Sequence, residues 1–292
     1  MAEATILNPD HEPYQWHYSF QGNLDQPLIL FLHGFLGDCH DFDPVISLLA
    51  DQFCCLTVDL PGHGKTEVRG GDKFYTMSQT AQGLIQLLEQ LTISTCSLVG
   101  YSMGGRLALY LALHFPQFFH RVVLESTSPG LQTAAERSQR RKHDTQLADQ
   151  LETEDFSNFL RRWYSQPLFA SLQQHPDFEQ IVKHRLNNHP KALAQSLRYM
   201  GTGHQPALWQ RLPENQLPLL LLVGEQDAKF RAVNTEMAGL CPQAKLRILG
   251  DCGHNIHWEN PSLFAQQVGE FLAIAPDTSK DTQRQNLCNI NI

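Results

Sequence analysis

An α/β fold, with a mostly parallel sheet, helices on both faces and an inserted helical cap, is what this 292-residue sequence predicts. Three observations carry that prediction. Short apolar runs alternate with helix-prone stretches in the first and last parts of the chain, the pattern of strand–helix–strand units. One such run, Thr95–Val99, enters Gly100-Tyr101-Ser102-Met103-Gly104-Gly105 and is followed by the helix formers Arg106–Leu113, so a tight turn joins strand to helix. Between residues 129 and 212 the alternation stops, and the chain becomes polar and helix-prone, with Pro167, Pro176, Pro190 and Pro206 as breaks.

In order along the chain, Gln15–Phe20, Pro27–Leu32, Phe53–Val58, Thr95–Val99 and Arg121–Leu124 read as strands, and stretches near Asp43–Ala50, Ser78–Leu91 and Met103–His114 as helices. The continuous apolar run Leu219–Val223 suits a strand buried on both faces. Lys245–Leu249 reads as one more strand, and the alternation ends near Ile274. An insertion of about eighty residues is too long for a simple connection. It reads as a cap over the carboxyl edge of the sheet, where open α/β sheets bind ligands. The expected division is a core of residues 14–128 and 213–274, a helical cap of residues 129–212, and a polar tail, 275–292, expected to be disordered.

The turn at Ser102 matches G-x-S-x-G. Placed between strand and helix, it forms a nucleophile elbow that holds the serine hydroxyl at the end of the sheet. A serine needs a histidine base oriented by a carboxylate, and chain order Ser, acid, His marks the α/β-hydrolase arrangement. Asp227, in Gly224-Glu225-Gln226-Asp227 just past the Leu219–Val223 run, is the preferred acid, with Glu225, Asp251 and Glu125 as rivals. His254, directly after Gly253, is the preferred base, with His257 as the rival that could instead start the last helix. Oxyanion donors are expected from the backbone N–H of Met103 and from the His33-Gly34-Phe35-Leu36-Gly37 loop, with Phe35 as the donor there.

Composition bounds the alternatives. Apolar content of 42% is ordinary for a soluble globular domain. No apolar run reaches the length of a membrane span, and Met1–Pro13 lacks the basic start and apolar core of a secretory signal. A net charge of −8 argues against a nucleic-acid partner. Seven scattered cysteines with no metal-ligand spacing suit reduced, packing thiols in a cytoplasmic protein. No metal or organic cofactor is indicated. Gly62-His63-Gly64-Lys65-Thr66 ends like a phosphate-binding loop, but Asp59 stands where that motif needs its first glycine.

Arg106 falls about one helical turn beyond Ser102, among leucines. An arginine there is expensive unless it is paired or faces a ligand. With one or two cap arginines it could grip carboxylates bidentately, concentrating positive charge in an acidic chain. Trp163-Tyr164 would supply an aromatic wall.

Four stretches point to a family: Leu32–Gly37, Gly100–Arg106, Gly224-Glu225-Gln226-Asp227-Ala228-Lys229-Phe230 and Gly253–Pro261. Cap segments Trp163–Leu172 and Arg185–Asn188 agree. Over about residues 28 to 272 the chain resembles the α/β-hydrolase-fold synthases of menaquinone and phylloquinone biosynthesis, the 2-succinyl-6-hydroxy-2,4-cyclohexadiene-1-carboxylate synthases of MenH type. The resemblance implies a lyase that eliminates pyruvate from a polycarboxylate cyclohexene, with Ser102, Asp227 and His254 as the catalytic base unit. It also implies Arg106, Arg140 and Arg185 as substrate-binding arginines and Tyr101 and Trp163 as aromatic pocket positions. Arg137 and Arg141 lie close to Arg140, and the polar tail departs from the family's compact end. A carboxylester or carbon–carbon bond hydrolase of the same fold needs only the triad and oxyanion loop. A binding protein that kept the fold without catalysis is the third reading. The oligomeric state is not legible.

Overall fold

The strands of the computed structural model are β1 (Ala2–Thr5), β2 (Tyr14–Gln15), β3 (His17–Gln21), β4 (Leu28–Leu32), β5 (Cys54–Val58), β6 (Glu67–Val68), β7 (Cys96–Tyr101), β8 (Phe119–Glu125), β9 (Leu219–Gly224) and β10 (Ala244–Leu249). The helices are α1 (Asp43–Leu49), α2 (Met77–Gln90), α3 (Ser102–His114), α4 (Ala134–Thr153), α5 (Phe156–Tyr164), α6 (Phe178–Arg185), α7 (Pro190–Met200), α8 (Ala228–Leu240), α9 (Ile256–Glu259) and α10 (Pro261–Leu272). Residues 13–273 and the backbone of β1 are described; the tail expected to be disordered lies outside the described residues.

The main sheet has the order β1-β3-β5-β4-β7-β8-β9-β10. From β5 to β10 all neighbours are parallel, and β3 and β1 add an antiparallel edge. Alternation at period two divides the core. Leu30, Leu32, Leu56, Val58, Leu98 and Leu221 face α2, α3 and α8 through Leu84, Leu107, Leu111 and Met237. Ile29, Phe31, Cys55, Val99, Leu220 and Leu222 face α1 and α10 through Val45, Ile46, Phe264 and Val268. After β4 the chain moves to β5 on one side, then returns to β7 on the other. The loops leaving β4 and β7 therefore diverge, and a crevice opens at their carboxyl ends.

Two expectations need correction at the amino-terminal edge. The strand expected over Gln15–Phe20 is divided at Trp16: β2 pairs with β6 in a separate two-stranded ribbon, while β3 joins the main sheet. Tyr14 and Trp16 are both buried and stack at 4.7 Å. They press on α2 at Gly83, where a Cβ would lie 2.4 Å from the Tyr14 ring. The core also starts before residue 14, because β1 pairs antiparallel with β3, Ala2 opposite Phe20.

Helices α4 to α7 lie between β8 and β9, within the stretch expected to form the cap. Thr133 and Glu136 form a reciprocal capping box at the start of α4, and Asp155 caps α5. The cap has its own core of Ala148, Phe159, Leu160, Ile181, Leu193 and Leu197, which Leu36 of the β4 loop enters from below. Cys39, Cys54, Cys55, Cys96, Cys241 and Cys252 are buried and form no disulfide among the described residues; Cys288 lies outside the described residues. His17, Cys39 and Asp59 converge from separate elements, but the Asp59 oxygens already accept from Cys39 N, Lys65 N and His17 Nδ1. Among the described residues no helix is long and apolar enough to cross a membrane.

His63, on the turn beneath the cap, is 1% exposed and its Nε2 has no hydrogen-bond partner among the described residues. Burial, reinforced by the neighbouring His33, pushes its pKa down to about 3. A base depressed in the folded state binds more protons when unfolded, so it reduces stability as pH falls below its ordinary value. From pH 7 to pH 5 this group alone should remove about 2 kcal/mol of unfolding free energy. Urea titrations at the two pH values should show that loss, and His63→Leu should abolish most of it. An unchanged pH slope in the variant would refute the assignment.

Candidate active site

Ser102 sits where β7 turns directly into α3 and adopts φ +48°, a left-handed conformation rare for a non-glycine residue. The elbow needs close backbone approach on both sides. A Cβ at Gly104 would lie 2.1 Å from the Leu32 carbonyl oxygen, and one at Gly100 would lie 2.6 Å from that of Gly104. Thr127 Oγ1 donates to the Ser102 carbonyl at 3.0 Å, tying the turn to the segment after β8.

The structure brings Asp227 and His254 to this serine. Asp227 caps α8, its Oδ1 accepting from Phe230 N at 3.1 Å. Its Oδ2 lies 2.6 Å from His254 Nδ1, and His254 Nε2 lies 3.2 Å from Ser102 Oγ. An ionised carboxylate only accepts, so Nδ1 carries the proton and Nε2 is left to accept from the serine hydroxyl. Glu259 of α9 holds the histidine loop, accepting from Gly253 N at 2.5 Å and Asn255 N at 3.1 Å. The rival residues are elsewhere. His257 is fully buried in α9, with Nδ1 against both Glu125 oxygens at 2.8 and 2.9 Å. Glu225 and Asp251 are exposed.

A cavity of about 360 Å³ opens over Ser102 and His254, between the sheet edge and the cap. Phe35 and Met103 line it. Met103 is the second residue of α3, so its N–H has no acceptor within the helix. Phe35 follows Gly34 in a turn closed by Gly37 N donating to Gly34 O at 3.1 Å. Tyr101 and Trp163 also form the wall, with Phe35 and Trp163 ring centroids 5.2 Å apart.

Arg106, Arg140 and Arg185 all reach the cavity, each differently. Arg106 is 9% exposed and among the described residues donates only to neutral groups, Met200 O at 3.0 Å and Gln205 Oε1 at 3.4 Å. Burial and the nearby Arg140 lower its pKa to about 10, against a partial counter-pull from Asp144. Arg140 is partly exposed and pairs through Nε with the buried Asp144 at 2.7 Å. Arg185 is buried in an ion pair with Asp41, which sequence reading did not anticipate. Lys229 is a fourth cation on the wall, its Nζ 5.3 Å from the Phe230 ring centroid. Desolvation and Arg140 push its pKa down, opposed by Asp227.

The α/β-hydrolase fold family model matches residues 27–261. The chain is 38% identical over 246 residues to the 2-succinyl-6-hydroxy-2,4-cyclohexadiene-1-carboxylate synthase of Escherichia coli O1:K1 / APEC, covering 84% of this chain and 94% of that one. It belongs to this synthase family of the α/β-hydrolase fold. The solved structure of MenH from S. aureus superposes with a TM-score of 0.83 at 36% identity, covering 88% of this chain and 97% of that one. The Arabidopsis thaliana protein PHYLLO, chloroplastic, is 31% identical over 276 residues, 89% of this chain but 16% of its own length.

Sequence reading missed Lys229 on the cavity wall and two carboxylates behind it, Glu259 and Asp41. Lys229 lay in plain view in the Asp227-Ala228-Lys229-Phe230 run, two positions past the acid, a spacing that puts both at the start of α8. Glu259 had a signal too, since its spacing of six from Gly253 fits a carboxylate reaching back over a turn. Asp41 had none, because its partners Arg185 and Trp258 are far away in sequence.

Proposed function

We propose that this chain is a pyruvate-eliminating lyase that forms 2-succinyl-6-hydroxy-2,4-cyclohexadiene-1-carboxylate from its 5-enolpyruvyl cyclohexene precursor. The observation that carries the reading is Arg106, a buried guanidinium bonded to neutral groups only, beside the serine–histidine–aspartate geometry. A cavity with a buried cation lacking a bonded carboxylate suits a substrate that brings its own negative charge.

In this reading His254, oriented by Asp227, takes the Ser102 proton, and Ser102 Oγ removes a proton from the substrate ring. The freed electron pair forms one new ring double bond, the existing ring double bond shifts one position along the ring, and the carbon–oxygen bond to the enolpyruvyl group breaks, turning the cyclohexene into the 2,4-diene. That group leaves as an enolate and becomes pyruvate on taking up a proton at carbon, so no water is consumed. The amides of Phe35 and Met103 would face the charge that develops on a substrate carbonyl oxygen during proton removal. Arg106, Arg140, Arg185 and Lys229 would share the substrate's carboxylates, with Tyr101 and Trp163 against its ring. No metal or organic cofactor is required by this chemistry. The partner is thus a small polycarboxylate rather than a nucleic acid or a membrane, and buried cysteines outside any disulfide among the described residues suit the cytoplasm.

The same triad and amides also suit an ester or carbon–carbon bond hydrolase. Incubating the protein with the enolpyruvyl precursor and following pyruvate release separates the two. Enzyme-dependent release with no covalent acyl-serine supports the lyase. Absence of release, with rapid turnover of short aryl esters, supports the hydrolase.

A further inference from the structure

Arg185 closes α6, and its guanidinium is held on two sides. Its Nε donates to Tyr164 Oη at 3.1 Å, and Nη2 is ion-paired with Asp41 Oδ1. Among the described residues its Nη1 has no partner, although the side chain is 3% exposed and the residue lines the cavity. Asp41 is 1% exposed and also accepts from Trp258 Nε1 at 3.1 Å. It follows the β4 loop that carries Phe35, so one carboxylate joins that loop, the cap and the helix after His254.

We propose that Asp41 is a positioning residue for substrate recognition: its ion pair locks the Arg185 guanidinium so that Nη1 alone remains to meet a substrate carboxylate. This rests on the polycarboxylate reading above. A long, rotamer-rich side chain loses freedom when it binds a ligand, and two prior anchors remove that loss from the binding step. Burial opposes ionisation of Asp41, but Arg185 and then His257 outweigh it and hold the carboxyl below its usual range, so the anchor stays charged.

Cap attachment alone does not account for the pair. The same helix region is docked on the β4 loop independently: His184 Nε2 lies 2.8 Å from Asp38 Oδ2, and Asn188 donates to Leu36 O at 2.9 Å while accepting from Gly64 N at 2.9 Å. A purely structural arginine would also be expected to use its buried nitrogens fully, and here one is left over.

The test uses benzene-1,3,5-tricarboxylate as probe, with calorimetric dissociation constants for the full-length wild type, Asp41→Asn, Asp41→Glu, Arg185→Gln and the Asp41→Asn/Arg185→Gln double variant. Asp41→Asn should weaken binding by about 10- to 100-fold and Asp41→Glu by about 10-fold, since Glu keeps the charge but moves it by one methylene. In the Arg185→Gln background Asp41→Asn should change affinity by less than about twofold, because neighbours acting through one contact are not additive. In turnover the loss should fall on KM rather than kcat. Wild-type affinity in Asp41→Glu overturns the proposal, and that variant decides even if Asp41→Asn does not fold. Equal weakening by Asp41→Asn in both backgrounds overturns it as well. Wild-type protein that does not bind the tricarboxylate removes the polycarboxylate reading and this proposal together. Protein that binds it but releases no pyruvate removes only the synthase reading.

Discussion

Ser102→Ala should lower the rate of pyruvate release by on the order of 10³- to 10⁵-fold while leaving KM within about threefold, the pattern expected when an interaction made in the transition state is lost. Ser102 Oγ is the atom the fold presents. Its backbone is held at φ +48°, the glycines on either side admit no side chain, and His254 Nε2 waits 3.2 Å away. Alanine removes the oxygen and leaves the imidazole, the carboxylate and the arginines in place, so the substrate should still bind. A coupled assay for pyruvate under saturating substrate measures the effect. Retention of more than about a tenth of the wild-type rate would mean that His254 takes the ring proton directly and that Ser102 only lines the cavity. His254→Ala would then be the larger loss, and comparing the two variants separates the roles.

How much of this was legible in the sequence depends on the range of each interaction. The elbow is local: strand, two glycines and helix formers within about twenty residues fix Ser102, and the structure departs from that reading in running β7 on to Tyr101 and starting α3 at Ser102 itself. Asp227 and His254 are local in the same sense, since each follows its strand by a few residues. Choosing between His254 and His257 was a matter of three positions. The outcome is physical, because the Gly253 turn leaves one imidazole at the cavity while α9 turns the other inward onto Glu125. The sheet's amino-terminal edge was not legible. β1 is a short polar strand whose place is set by the open edge of β3, and β6 is two residues long with no pattern of its own. The Arg185–Asp41 pair, which joins the cap to the core, shows the same limit, and the Arg140–Asp144 pair does not. The arginines could be named from their neighbours, but the acid at i+4 was readable only for Arg140, while Asp41 lies across 144 positions.

Arg106→Met should separate function from stability in opposite directions. With substrate, kcat/KM should fall by about 100- to 1000-fold, mostly through KM, because a guanidinium that binds a carboxylate in a dry site is worth several kcal/mol when that partner arrives. Without substrate the variant should be as stable as wild type or more so. Arg106 is buried on α3 and donates to a carbonyl and an amide oxygen. Neither neutralises the charge, and burial has already drawn its pKa down to about 10. Replacing an incompletely compensated buried charge by an apolar side chain of similar length is often neutral or stabilising. A gain of about 1 kcal/mol would raise the ligand-free Tm by a few degrees in a chain of this size. The two measurements also interlock. A polycarboxylate ligand should raise the wild-type Tm through its preferential binding to the folded state, and Arg106→Met should flatten that rise. A variant that instead melts well below wild type while keeping its kcat/KM would make Arg106 a structural strut between α3 and the carbonyl of Met200. The recognition of substrate charge would then have to rest on Arg140, Arg185 and Lys229 alone.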